Sequence, residues 1–139
     1  MITSERQLKV TLEKIESFKR SLKMKIKIKN PILANAAKVE TQTLIEDLEA
    51  FVNEYQELRK NGLNAIKIST PEDLLLLPIR YRIAKHMTQE VFAKSVDVSV
   101  RMIARYEAEE YRNITGETLK KILHKIPLKF KGNFKEVET

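Results

Sequence analysis

Cysteine is absent from the 139-residue chain, which excludes disulfides, a zinc finger and thiol catalysis together and points to a cytoplasmic address. Glycine occurs three times, proline four times, and aromatic residues make up only 6% of the sequence. A β fold turned on glycine needs more of each, so helices are favoured. No apolar run approaches the length of a membrane span, and Met1 to Arg6 lack the hydrophobic core of a signal peptide, so no membrane partner is expected. The two histidines, His86 and His124, are isolated, with no glycine-rich phosphate loop or spaced carboxylate cluster beside them. Neither an enzyme nor a cofactor or metal site is expected. Acid is the minority charge, with 19 acids against 26 bases and a net charge of +7, and the natural partner of such a surface is a polyanion.

What is present reads as amphipathic helices. Ser4 with Gln7 is a capping-box pattern, and Leu8, Leu12, Ile15, Phe18 and Leu22 follow at helical spacing, predicting a helix from Ser4 to Met24. Leu22, Met24, Ile26 and Ile28 then alternate with lysines 23, 25, 27 and 29; this segment fits a frayed helix, an edge strand or a connector. Pro31 can open a second helix, and Ala37, Thr41, Leu44, Leu48, Phe51, Tyr55 and Leu58 recur in steps of four and three up to Asn61-Gly62, a seam with a helix stop at its end. Two such stripes bury each other most simply as an antiparallel hairpin. Between Glu40 and Glu57 there are six acids and no base, whereas Lys19 to Lys29 is densely basic. Those faces serve either as solvated surface or as a partner contact.

Ala65 to Ser69 is strand-like, and Thr70-Pro71-Glu72-Asp73 opens a helix with a capping threonine, a first-turn proline and acids at the dipole's positive end. Pro78 does not suit a helix interior. The expectation is a helical turn before it and a new helix starting near it. His86 is expected to end that helix, where partial positive charge is favoured.

One device then recurs. A capping residue is preceded by an apolar residue able to meet another in the helix it starts: Met87, Thr88 and Phe92; Val98, Ser99 and Ile103; Ile114, Thr115 and Leu119. Phe92, Ala93, Val96, Val98, Ile103 and Tyr106 can close over one small core if two short helices meet at a tight turn. The helix after Ser99 carries Arg101 and Arg105 on its opposite side, with Val100 beside them and Ala104 small enough for close approach. Arginine can bond both acceptors of a guanine edge and valine can pack on a thymine methyl, so Ser99, Val100, Arg101 and Arg105 are the candidate base readers. Thr88 and Gln89 at the preceding helix start, with Lys94 and Arg112, are the candidate phosphate contacts.

The run TQEVFAKSVDVSVRMIARYE, Thr88 to Glu107, resembles the helix-turn-helix of the Xre, or lambda-repressor-like, family. Gln89, Ala93, Val98, Ile103 and Glu107 match its pattern. Asp97 stands where that family has a turn glycine, and aspartate reaches the left-handed conformation at a cost of about 1 kcal/mol. The resemblance also implies a structural ion pair between Arg82 and Glu107. Over a longer stretch, ITSERQ, EYQELRKNG and ARYEAEEY are similar to phrases of antitoxin-like Xre regulators with an N-terminal helical region.

The expectation is therefore a mainly α protein with at most one or two short strands. It comprises a helical hairpin (1–62) for dimer or partner contact, a connector (63–77), a helix-turn-helix domain (78–127) and a tail (128–139). Leu119, Ile122, Leu123 and Ile126 give that domain a last, buttressing helix, Pro127 stops it, and Leu128 to Phe130 could pair with Ala65 to Ser69. The expected function is sequence-specific binding of double-stranded DNA by a homodimer on a palindromic operator, as a transcriptional repressor and the antitoxin of a toxin-antitoxin pair. The alternative is a protein-interaction module that acts mainly by binding a toxin, with a secondary helix-turn-helix.

Overall fold

The computed structural model describes residues 1–25 and 27–138. Among them are helices α1 (Glu5–Lys25), α2 (Pro31–Asn61), α3 (Pro71–Ala84), α4 (Gln89–Val96), α5 (Val100–Ala108) and α6 (Gly116–Lys125), a 3-10 turn at Gly62–Ala65, and no strand. No helix among the described residues is long and apolar enough to cross a membrane.

The Ser4 hydroxyl caps α1 by accepting from the Gln7 amide, while the Gln7 side chain reaches back to the amide and hydroxyl of Thr3. The alternating lysine segment continues α1 as far as Lys25, and Ile26 lies outside the described residues. The Asn30 side chain starts α2 by accepting from the Ile32 and Leu33 amides, with Pro31 in the first turn. The two helices run antiparallel. Lys19 meets Glu49 near one end of the pair, and Glu5 meets Arg59 and the Tyr55 hydroxyl near the other.

Between α1 and α2 lie Ile15, Thr41, Ile45, Val52 and Tyr55, with Leu8, Phe18, Leu22 and Leu48 half-buried. This corrects the expected seam at two places, because Leu44 and Phe51 are exposed and their neighbours Ile45 and Val52 are inside. Both neighbours in each pair are apolar, so periodicity alone cannot tell which of them faces the partner helix.

A full capping box fastens α3: the Thr70 hydroxyl accepts from the Asp73 amide, and the Asp73 carboxylate accepts from the amides of Thr70 and Ser69. Arg80 bonds that carboxylate at 2.8 Å and Glu54 of α2 at 3.0 Å, tying α3 to the hairpin. Burial works against the guanidinium's charge, but the two carboxylates outweigh it and raise its pKa.

The expected break at Pro78 does not occur. Pro78 sits inside one continuous helix and is fully buried, so the expected boundary between connector and DNA-binding domain falls within α3. A proline there costs about 3 kcal/mol. Enclosure of Leu77, Pro78 and Ile79, together with the cap at the helix head, offsets it. The strand pairing considered for Ala65 to Ser69 and Leu128 to Phe130 is also absent. Ala65 is taken into the 3-10 turn, the Ile66 amide bonds Leu63 O, and the Leu128 amide bonds Ile126 O. These local bonds use groups that a ladder would need. From Leu128 to Glu138 the described tail has no helix or strand, and Thr139 lies outside the described residues.

Candidate nucleic-acid interface

The three helices after α3 begin as their sequences dictate. Thr88, Ser99 and Thr115 are extended residues whose hydroxyls accept from the amides of Val91, Met102 and Thr118, each replacing a bond that a helix start lacks. α3 ends at Ala84 with Lys85 as its cap, and His86 just beyond adopts φ 58° and places its Nε2 3.1 Å from Arg59 O. α4 ends at Asp97 with φ 55° and ψ 47°, where the amide bonds Ala93 O and Lys94 O. Aspartate thus takes the left-handed position usual for glycine, and Lys121 of α6 bonds its carbonyl. The turn is what sets α5 against α4.

One face of each helix enters a shared core of Tyr81, Phe92, Ala93, Val96, Ile103, Tyr111 and Ile122, with Val98 and Tyr106 half-buried around it. The rings of Tyr81 and Phe92 lie 6.3 Å apart and those of Tyr106 and Tyr111 5.6 Å apart. Beneath α5 is a buried polar hub. Arg82 donates from Nε and Nη2 to the two Glu107 oxygens, both at 2.7 Å, and the side chains are 7% and 2% exposed. Arg82 also donates to Met87 O and to Thr3 O, so the segment before α1 is bonded to the residue that anchors α5. Tyr111, at φ 60°, has a buried hydroxyl without a hydrogen-bond partner; burial and then the Glu107 charge push its pKa up.

With Ile103 and Glu107 committed inward, α5 turns Val100, Arg101 and Arg105 to solvent, with Ala104 half-buried. Ser99 is exposed at the helix head, where its hydroxyl is the cap. Thr88, Lys94 and Arg112 are exposed as well. The Gln89 side-chain amide turns inward and donates to Glu107 Oε1 at 3.0 Å in a half-buried site. Its side chain completes the hub, which leaves its backbone N–H as the group suited to a phosphate. Two residues that the sequence reading did not single out, Glu109 and Asn113, stand beside the exposed arginines. Glu109 Oε1 lies 3.5 Å from Arg105 Nε, and Asn113 donates to Glu109 Oε2 at 3.1 Å. The spacing of four residues in each pair was the available signal.

A small core, two short helices across a left-handed turn and a second helix with an arginine-bearing outer face together form a helix-turn-helix. Residues 79–131 match the helix-turn-helix family model. The match supports the Xre, lambda-repressor-like resemblance and a DNA-binding transcriptional regulator. No curated protein and no solved structure matches the chain.

Proposed function

We propose that this protein is a sequence-specific transcriptional repressor that binds a palindromic DNA operator as a homodimer, with α5 in the major groove. The observation that carries the reading is the division of α5. Ile103 and Glu107 lock one side into the core, and Arg101 and Arg105 stand exposed on the other at a spacing of four residues. In this reading Arg101 and Arg105 bond guanine edges, and Val100 and Ser99 make the neighbouring base contacts. Thr88, the backbone of Gln89, Lys94 and Arg112 hold phosphates on either side. A single motif reads few base pairs, so two copies engage half-sites roughly 34 Å apart.

The hairpin supports a further role. Leu33, Val39, Leu44 and Phe51 are exposed along α2, more apolar surface than a DNA reader requires, and a toxin protein held there makes the chain an antitoxin. Selection of bound sequences from a random DNA pool tests the main reading. A two-fold symmetric consensus supports it, whereas recovery of no preferred sequence contradicts it. Co-expression with the product of an adjacent toxin gene tests the antitoxin role. Growth rescue that Leu44→Glu abolishes supports it, and no rescue by the unaltered chain contradicts it.

A further inference from the structure

Arg105 is a long, exposed side chain with 63% of its surface in solvent, yet it is held from behind. Glu109 Oε1 lies 3.5 Å from its Nε, and the second Glu109 oxygen accepts from Asn113 Nδ2 at 3.1 Å. The backbone of Glu109 is fixed as well, because its amide caps the last turn of α5 on Arg105 O and its carbonyl accepts from Arg112 Nε at 3.2 Å. A carboxylate so held occupies the Nε edge of the guanidinium and leaves the two terminal nitrogens as the free fork. That fork matches the O6 and N7 acceptors of guanine. The same carboxylate is a poor neighbour for phosphate, so it disfavours the alternative in which Arg105 folds back onto the backbone.

We infer that Asn113 and Glu109 form a positioning relay that aims Arg105 at a guanine edge, so that Glu109 determines specificity without touching a base. The inference rests on the reading that Arg105 enters the major groove. As an exposed ion pair one turn apart, Arg105 and Glu109 contribute little to folding. The relay's effect therefore falls on discrimination and hardly on the melting temperature.

The test measures binding of the full chain and its variants, at one salt concentration, to the selected operator, to the operator substituted at each guanine in turn, and to scrambled DNA. Arg105→Ala removes discrimination at one base pair per half-site. Glu109→Ala lowers discrimination at that same base pair about tenfold, near the lower end of what a bidentate contact supplies. It also raises affinity for scrambled DNA about threefold, because one charge repelling phosphate is gone. Glu109→Gln, which keeps an acceptor without the charge, gives the second effect and retains most of the discrimination. Asn113→Ala lowers discrimination in the same place by a smaller factor. Full discrimination in Glu109→Ala, where Arg105→Ala has lost it, overturns the relay and leaves the groove reading standing. If Arg105→Ala loses discrimination nowhere, Arg105 reads no base, and the relay falls with that reading.

Discussion

The three helices after α3 have 8, 9 and 10 residues and the two of the hairpin have 21 and 31, yet the short helices hold the more fully enclosed side chains. Phe92, Val96, Ile103 and Ile122 are shut off from solvent completely, whereas Ile15, Ile45 and Val52 retain some exposure. Helices shorter than about 12 to 15 residues are marginal alone, so α4, α5 and α6 depend on caps, a left-handed turn and a common core. The hairpin depends on length and on one stripe, and leaves apolar positions uncovered. Complete enclosure is thus concentrated under the face proposed for DNA.

A pair of phenylalanine substitutions separates the two regions most widely. Phe92→Ala should cost about 3 to 5 kcal/mol from the lost burial and the cavity left behind. Phe51→Ala in the hairpin should stay within ~0.5 kcal/mol, as for other exposed sites. Chemical denaturation of both variants checks this. A large loss for Phe51→Ala would show that the α2 face is covered in solution.

Glu107→Ala comes next, because it strands the Arg82 guanidinium and the Gln89 amide in a closed site. A loss of about 3 to 5 kcal/mol is expected, and replacement of both Arg82 and Glu107 by apolar residues of similar volume should recover most of it. An unchanged thermal midpoint for Glu107→Ala would remove the structural role of the hub.

Asp73→Ala tests the head of α3 and should cost about 1 to 2 kcal/mol at neutral pH through loss of the carboxylate half of the capping box and of the bond to Arg80. Arg80 foremost, then the Ser69 amide, holds the Asp73 carboxyl far below the ordinary carboxylate range. Because the folded-state value is the lower one, this stabilisation is complete above the unfolded-state pKa of about 3.9 and declines as pH falls below it. The difference between variant and parent should therefore narrow in acid. A gap that widens below that pH contradicts the assignment.

Asp97→Gly should give the smallest change and the opposite sign. Glycine takes the left-handed turn without the strain of a Cβ, so a gain of up to about 1 kcal/mol is expected. A lower melting temperature would mean that the Asp97 side chain contributes something its backbone geometry does not reveal.

What could be read from the sequence follows the same division. The caps at Thr88, Ser99 and Thr115, the turn at Asp97 and the stop at Asn61-Gly62 are local signals, and the helices begin and end there, whereas α3 stops at Ala84, two residues before His86. The pairing of Arg82 with Glu107 was accessible only through family resemblance, since the two lie 25 residues apart. The choice of Ile45 over Leu44, the helix carried through Pro78, the inward turn of Gln89 and the bond from Arg82 to Thr3 O were not legible. Each is decided by what packs against the residue from a distant part of the chain, and periodicity and propensity describe only its own neighbourhood.

The most direct test of the central claim is the affinity of Arg101→Ala and Arg105→Ala for the selected operator and for scrambled DNA at one fixed salt concentration. Salt is held constant because the phosphate contribution changes steeply with it. Each variant should lose about 1 to 3 kcal/mol on the operator and much less on scrambled DNA, with relaxed preference at particular base pairs. Equal losses on both DNAs would make these arginines electrostatic contacts. No loss on either would place α5 outside the groove, and the protein would not read DNA with this helix.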